Sequence, residues 1–188
     1  MASGTRKNVI IQGLVGLIFL IMAVEMFLLL RQIRTLTDEI ERLRHPRKET
    51  IEIGSSAPDF VLNNLLGEKV SLSDYEGMDL LLIFFSPECP ACQVDIPNWK
   101  SLIALESDTL HVLGITEADS EETDSFMSSY ALDFEVVIDQ EGGVKQIYMC
   151  ESVPQKILID QDGRVDYVEV GAVPRTETGQ LERRLRGY

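Results

Sequence analysis

The chain has 188 residues and a formal net charge of −14, a length suited to one terminal segment and one domain of ordinary size. Residues 1–48 carry eight Lys/Arg and four Asp/Glu, whereas the remainder carries nine and twenty-seven. Because so acidic a domain repels phosphate backbones, we expect no nucleic-acid partner. Three cysteines are too few for a disulfide framework, and the domain is long enough to bury its own apolar core.

Residues 1–8 form an N-terminal flank, and residues 9–30 are a mostly apolar run, "VIIQGLVGLIFLIMAVEMFLLL". As a helix this run would be about 33 Å long, which is enough to cross the hydrocarbon core of a bilayer. A cleaved signal peptide would have a shorter apolar core and a cleavage site after it, but this run continues directly into "RQIRTLTDEI". We therefore predict a single transmembrane anchor, in which the apolar residues outweigh the insertion cost of Glu25.

Beyond the anchor, apolar residues recur at alternating intervals of three and four positions: Ile33, Leu36, Ile40 and Leu43. This stripe predicts a juxtamembrane helix over residues 31–45, which Pro46 ends. The stripe favours a solvated stalk, and a weak homodimer through residues 33–43 stays open as the alternative. Residues 46–53 read as a linker, and residues 54–188 form the folded domain.

The folded domain begins with strand-like sequence. The segments "DFVLNN" and "EKVSL" flank Gly67 and predict a β-hairpin. The next segment, "DLLLIFF", is a continuous apolar run, as expected of a central strand buried on both faces. A helix should follow, from Cys89 to about Glu106.

The rest of the domain alternates strands with helices. We predict strands at "LHVLGIT", "FEVVID", "QKILID" and "RVDYVEVGA", with a tight turn at "QDG", and helices at "DSEETDSFMSSYAL", "GGVKQIYM" and "RTETGQLERRLRGY". This alternation, ending in a hairpin, predicts an α/β fold with a mixed central sheet flanked by helices.

Two cysteines, Cys89 and Cys92, are separated by Pro90 and Ala91, and they stand where the central strand gives way to a helix. At a helix start, the first sulfur faces unpaired backbone N–H groups and the positive end of the helix dipole, which favour a thiolate. The second sulfur lies one turn further on the same face, so the two can form a disulfide. The pattern predicts that Cys89 attacks a disulfide and that Cys92 resolves the mixed disulfide.

Other uses of the cysteine pair are weaker but stay open. A structural zinc site needs four ligands, and the remaining candidates, Cys150, His45 and His111, are scattered along the chain. We therefore expect no metal and no cofactor beyond a redox-active disulfide. Copper delivery by the pair with a histidine, and two inert buried thiols, are alternatives. A peroxidatic cysteine is a further one, supported by Ser86 but not by Leu82, which stands where a proline would be expected.

From about Gly54 to Ala172 the chain resembles the thioredoxin-fold domain of membrane-anchored proteins of the TlpA/ResA type. The motifs that carry this resemblance are "APDFVLNN", "VSLSDYEG", "LLLIFFSPECPAC", Pro97 and "SVPQKILIDQDGRV". The anchor and stalk, together with "FFSPECPAC", are similar more narrowly to the MauD-type accessory proteins needed to mature methylamine dehydrogenase.

The resemblance implies a thioredoxin fold preceded by one transmembrane helix, and thiol-disulfide oxidoreductase activity at Cys89 and Cys92. It implies that Val153 and a cis-proline at Pro154 face the disulfide and offer backbone groups to a bound substrate chain. It also implies that Pro97 kinks the helix. A protein client with a disulfide and a membrane electron donor would be the partners, and reduction of the client is favoured over oxidation.

Three positions depart from the family pattern. Glu88 replaces the tryptophan that usually precedes the first cysteine, and a carboxylate there opposes a thiolate electrostatically. Glu88, Pro90 and Ala91 are therefore candidate modulators of the pair. Ile83 occupies the position of the buried acid of thioredoxins, so Cys92 has no obvious internal base. Gln155 replaces the threonine that commonly follows the cis-proline.

The side of the membrane is predicted from the resemblance and from chain length. Lys and Arg residues are more numerous after the anchor than before it, which taken literally would leave the domain in the cytoplasm. That rule holds for short loops, and a domain of this length is translocated largely regardless of its charge. We therefore expect the domain on the extracytoplasmic, periplasmic side. Cys150 and Trp99 are expected to be buried in the core.

Overall fold

The computed structural model describes residues 50–173 together with 22, 25–27, 31, 181, 184 and 185. The chain divides into two units, Met1–Lys48 and Glu49–Tyr188. Most of the predicted anchor, nearly all of the predicted stalk and most of the predicted last helix lie outside the described residues. Among the residues that are described, no helix is both long and apolar enough to span a bilayer.

The second unit contains seven strands and three α-helices within residues 50–173. The strands are β1 (Val61–Asn64), β2 (Lys69–Ser71), β3 (Asp79–Phe84), β4 (Leu110–Thr116), β5 (Glu135–Ile138), β6 (Gln155–Ile159) and β7 (Val165–Val170). The helices are α1 (Pro90–Ile103), α2 (Ser120–Tyr130) and α3 (Gly143–Ile147), and a short 3₁₀-helix covers Leu72–Tyr75.

All seven strands form one sheet in the order β2-β1-β5-β4-β3-β6-β7. The three central strands, β3, β4 and β5, run parallel, while β1, β6 and β7 join the sheet in antiparallel pairs. The β1–β2 hairpin turns at Gly67, which has a φ of +81° that side chains other than glycine rarely adopt. The predicted α/β fold with a mixed sheet flanked by helices is thus confirmed.

Alternate residues of the central strands supply two separate apolar cores, one on each face of the sheet. On one face, Leu81 and Ile83 of β3 pack with Ile96, Trp99 and other buried residues of α1 and α2. On the opposite face, Leu82 and Phe84 pack with α3 and its flanking residues, and Cys150 belongs to this second core. Because β3 is buried on both faces, its sequence is apolar throughout, as the run "DLLLIFF" predicted.

The arrangement of strands determines where a site can form. Strand β3 ends at Phe84, and its antiparallel neighbour β6 begins at Gln155, directly across from Phe84. The chain that leaves β3 toward α1 and the chain that enters β6 therefore meet at one edge of the sheet. This edge carries both the cysteine pair and the Val153–Pro154 segment.

Candidate active site

Cys89 is the residue that caps the N-terminus of α1, with backbone angles in the extended region. Its side chain makes no capping hydrogen bond to the first turn of the helix. Instead, the half-buried thiol donates a hydrogen bond to the carbonyl oxygen of Val153, with 3.5 Å between Sγ and O. The sulfur therefore lies at the helix start, as expected, but its hydrogen-bond partner comes from the loop before β6.

Cys92 lies one turn into α1 and is fully buried in the core that α1 forms with the sheet. Burial raises the pKa of the Cys92 thiol to about 12, and a hydrogen bond with the backbone of Ser86 only partly opposes that rise. Interactions with Cys89 and with the negative charge of Asp95 raise the pKa further. Both cysteines are free thiols in this structure. The pair thus combines one accessible thiol with one buried, protonated thiol.

The peptide bond between Val153 and Pro154 is cis. Val153 is half-buried and packs against both apolar cores, while Pro154 is buried. The carbonyl of Pro154 accepts a hydrogen bond of 2.7 Å from the backbone N–H of Gly171. The Pro154 carbonyl is thus engaged by the chain after β7, whereas the Val153 carbonyl accepts the hydrogen bond from Cys89.

The three candidate modulators occupy different environments. Glu88 and Pro90 are exposed, and Ala91 is half-buried. Gln93, at the first exposed position after the pair, donates from its side-chain amide to the carbonyl of Pro87 at 3.0 Å, which ties the first turn of α1 to the loop before it. Pro97 lies inside α1 on its exposed side.

Beside Val153, a small cavity separates the ends of β3 and β4 from α3. Apolar side chains including Phe84, Phe85 and Ile115 line it, and an ion pair between Lys145 and Glu117 stands at its polar side. Val153 also lines the cavity, whose accessible volume of about 10 Å³ is close to what one water molecule needs.

A buried ionic cluster that the sequence analysis did not predict lies on the α1 side of the sheet. Asp95, Lys156 and Glu169 are all buried, and the Lys156 ammonium group forms salt bridges with both carboxylates. The distance from Lys156 Nζ to Asp95 Oδ2 is 2.7 Å. Tyr167 donates a hydrogen bond of 3.2 Å from its hydroxyl to Glu169 Oε2.

Four donors converge on Asp95, which therefore acts as a fully engaged hydrogen-bond acceptor. Besides Lys156, they are the indole N–H of Trp99 at 2.8 Å, the side-chain amide of Asn98 at 2.7 Å, and the backbone N–H of Val173 at 3.4 Å. Trp99 is fully buried, as predicted, and its N–H explains why a polar partner accompanies it in the core.

The cluster corrects the expectation that no buried acid accompanies Cys92. The expected position, 83, holds an isoleucine in β3, but Asp95 lies three residues after Cys92 on the same buried face of α1. Lys156 is the sheet neighbour of Ile83 and pairs across β6–β7 with Glu169. A signal was present in the sequence, since Asp95 interrupts the apolar face of α1 and Lys156 interrupts the buried run "QKILI".

Cys150 is buried in the core on the other face of the sheet, with its sulfur 3.6 Å from the carbonyl oxygen of Ser152. Cys92 belongs to the core on the α1 face. The third cysteine is thus buried, as expected, and packs in a different core from Cys92. Within residues 50–173 and the few others described, no three His, Cys, Asp or Glu side chains are grouped to hold a metal ion.

An accessible thiol at a helix start, a buried thiol one turn later and a cis-proline across the sheet edge, on a mixed α/β sheet, define the class of thioredoxin-fold thiol-disulfide oxidoreductases. Residues 53–168 match the AhpC/TSA family, and the chain belongs to that family.

Relatives and solved structures agree with this class. The chain is 33% identical over 123 residues to the thiol-disulfide oxidoreductase ResA of Bacillus thuringiensis subsp. konkukian, which covers 63% of this chain and 70% of the relative. It is 31% identical over 141 residues to the thioredoxin-like protein YneN of Bacillus subtilis, covering 72% and 82%. A crystal structure from Chlorobium tepidum, described as a thiol:disulfide interchange protein DsbE, matches with a TM-score of 0.67 and 26% identity over 73% of this chain and 97% of that one. The protein is an enzyme of the thiol-disulfide oxidoreductase class.

Proposed function

We propose that the protein is a membrane-tethered thiol-disulfide oxidoreductase that reduces disulfides of specific extracytoplasmic client proteins. In this proposal Cys89 is the attacking thiol, Cys92 is the resolving thiol, and Val153 and Pro154 contact the client. The observation that carries the proposal is the contact between the accessible Cys89 thiol and the Val153 carbonyl, with Cys92 buried one turn behind it.

The reaction proceeds in two exchanges. Cys89 gives up its proton to solvent, and its thiolate attacks one sulfur of the client disulfide, so that the other client sulfur leaves as a thiolate. Cys92 then loses its proton, attacks the sulfur of Cys89 and releases the second client sulfur. The client has gained two electrons and the enzyme holds a Cys89–Cys92 disulfide, which a membrane electron donor must reduce again.

The position of Val153 supports recognition of an extended client segment. Its carbonyl points at Cys89, and the adjacent cavity has apolar walls with the Lys145–Glu117 ion pair at one side. A client chain that displaces the Cys89 hydrogen bond can offer its own backbone N–H to the Val153 carbonyl.

The proposed anchor is the apolar run of residues 9–30, and the proposed location is the extracytoplasmic face of the cell membrane. The length and hydropathy of the run support an anchor, and the length of the chain after it supports export. A membrane-impermeant maleimide tests the location. It should label Cys89 in intact cells or spheroplasts, and labelling only after lysis would contradict an exported domain.

Substitution Cys92→Ser tests the chemistry. The variant should accumulate a mixed disulfide with its client through Cys89, visible as a reductant-sensitive adduct, because the resolving thiol is gone. The matched controls are Cys150→Ser, which should trap nothing, and the double variant C89S/C92S, which should abolish trapping. Loss of copper binding without any trapped adduct would instead indicate a copper carrier.

The direction of electron flow is tested by equilibrating the full-length protein with glutathione buffers. A reduction potential of about −270 mV, typical of thioredoxin, would support a reductase. A reduction potential of about −120 mV, typical of a strong oxidant, would contradict the proposed reductase activity.

A further inference from the structure

We propose that Lys156 and Glu169 are positioning residues for the second exchange, and that their buried pair, acting through Asp95, sets how fast Cys92 resolves the mixed disulfide. The inference rests on the proposed function, since it concerns the rate of one step of that reaction. Three features of the described structure support it: the burial of the cluster, its net charge, and its place on the helix behind Cys92.

The cluster is built from three separate elements that meet beneath the active site. Asp95 comes from α1, Lys156 from β6 and Glu169 from β7, and the last two are direct cross-strand partners. The exposed fraction of the side chain is 0% for Asp95 and Lys156 and 9% for Glu169. Because water screens such groups little, their charges act on neighbouring groups in the core.

The charges do not cancel. Two carboxylates share one ammonium group, so the cluster as a whole is negative by one unit. The Asp95–Lys156 pair alone would be neutral. Glu169 therefore supplies the excess negative charge, and it also accepts a hydrogen bond from the hydroxyl of Tyr167.

The cluster acts on Cys92 through Asp95. Residues three apart on a helix are neighbours, and Cys92 and Asp95 occupy such positions on the buried face of α1. Hydrogen bonds from Trp99 and Asn98 and the salt bridge with Lys156 hold the Asp95 carboxylate in one place. The positive charge of Lys156 partly offsets the effect of the Asp95 carboxylate on Cys92. Because Glu169 also pairs with Lys156, its negative charge weakens that offset.

Among the described residues, the charged and titratable groups of the cluster and its surroundings come from α1, β6, β7 and Arg184. Cys92 and Asp95 come from α1, Lys156 from β6, and Glu169 and Tyr167 from β7. Arg184 lies over the ring of Tyr167 at 5.9 Å and pairs with Asp166 at the surface. Removing the charge of Glu169 therefore changes the formal charge of the cluster from −1 to zero and leaves the Asp95–Lys156 salt bridge in place.

The second exchange needs the Cys92 thiolate, which attacks the sulfur of Cys89 while the bound thiol leaves with the bonding electron pair. A neutral cluster makes that thiolate easier to form. Each unit by which Glu169→Gln lowers the pKa of Cys92 raises the thiolate fraction about tenfold, and the weaker nucleophilicity of a more acidic thiol reduces the gain in rate to about threefold per unit.

The experiment uses the reduced full-length chain in detergent and the disulfide reagent 5,5′-dithiobis(2-nitrobenzoate). Cys89 attacks the reagent and releases one thionitrobenzoate, and Cys92 then resolves the adduct and releases a second. The rate of the second release, followed by stopped-flow absorbance between pH 6.5 and 8.5, measures resolution directly. The expected result is a second release that is faster in Glu169→Gln than in wild type across this pH range, by up to about threefold.

Controls separate charge from structure. Asp162→Asn changes the net charge by the same amount at an exposed turn between β6 and β7, and it should leave the rate unchanged. Tyr167→Phe removes a hydrogen bond to Glu169 but no charge, and it should not accelerate resolution. Glu169→Leu removes the same charge without a buried amide, so it replaces Glu169→Gln should that variant fail to fold.

The outcomes are distinguishable. If the wild type releases only one thionitrobenzoate, Cys89 and Cys92 do not form a disulfide, and the proposed function fails. If the wild type releases two, but Glu169→Gln and Glu169→Leu resolve at the wild-type rate or more slowly, the proposed function stands and the role of Lys156 and Glu169 is overturned.

Discussion

The thiol of Cys89 and the carbonyl oxygen of Val153 lie 3.5 Å apart, although 64 residues separate them in the chain. This contact joins the start of α1 to the loop before β6, and Cys89 as a whole is only partly buried there. Cys92, one turn away, is fully buried. The two thiols of one redox pair therefore differ sharply in access to solvent, and several measurable properties depend on that difference.

The first prediction concerns alkylation of the reduced native protein at pH 8. Iodoacetamide should modify Cys89 first, because Cys89 is only partly buried, whereas Cys92 and Cys150 are buried and the pKa of Cys92 is about 12. Peptide mapping by mass spectrometry checks the order. In the denatured control all three cysteines should react alike, and rapid labelling of Cys92 in the native protein would contradict the structure.

The second prediction is a loss of stability at alkaline pH. The ordinary pKa of Cys92 in the unfolded chain is 9.0, and folding raises it to about 12. Above pH 9 the unfolded chain releases this proton while the native protein keeps it, so stability falls as pH rises toward 12. Between pH 9 and pH 10 the reduced protein should lose about 1 kcal/mol through Cys92.

Comparison of wild type with Cys92→Ser isolates this contribution, because serine does not ionise in this range. Urea unfolding of both proteins under reducing conditions at pH 8, 9 and 10 gives the two slopes. The pKa values of Tyr75 and Tyr148 are also raised by burial, but these residues are common to both proteins and cancel in the difference. Parallel slopes would show that Cys92 is not protonated in the folded state as described.

The third prediction concerns the cation of the buried cluster. Lys156→Met leaves the carboxylates of Asp95 and Glu169 in the core without their shared counter-ion, and breaking such a buried ion pair costs about 3–5 kcal/mol. Chemical denaturation measures the change. Lys100→Met, at an exposed position of α1, is the matched control and should change stability by about 0.5 kcal/mol or less. Similar values for both variants would argue against a buried Lys156.

The fourth prediction tests the close packing next to β3. A Cβ added at Gly114 of β4 would lie 2.9 Å from a ring carbon of Phe134 and 3.0 Å from atoms of Phe85 and Val136. Gly114→Ala should therefore destabilise the protein by about 1–3 kcal/mol. Gly143→Ala is the control, because no atom lies within 4 Å of its added Cβ and its φ is not positive. Equal thermal unfolding of both variants would contradict this packing.

Local sequence patterns were sufficient to predict the main strands and helices of the domain. The continuous apolar run of β3 follows from burial on two faces, and the hairpin at Gly67 follows from the turn between two strand-like segments. The start of α1 at Pro90 follows from the position of that proline and from the end of the apolar run. These features depend on residues close together in the chain, and periodicity and turn chemistry report on such residues directly.

The partners of individual side chains could not be predicted in this way. In thioredoxins the buried acid lies on the central strand, where this chain has Ile83, so the sequence predicts no acid near Cys92. In the structure α1 supplies a buried acid, Asp95, and β6 supplies the lysine that pairs with it, Lys156. The hydrogen bond from Cys89 to Val153 likewise depends on the register of β6 against β3. Register and helix placement are set by the packing of whole faces, and no short segment contains that information.

By itself, the sequence determined that an alternating α/β domain carries a dithiol where a central strand meets a helix, because both follow from local hydrophobic patterning and two-residue spacing. Only the tertiary structure decided which thiol is accessible, which backbone carbonyl it contacts, and how three charges from α1, β6 and β7 come together behind it. Those properties arise from contacts between residues tens of positions apart, whose cost in chain entropy only the complete fold can offset.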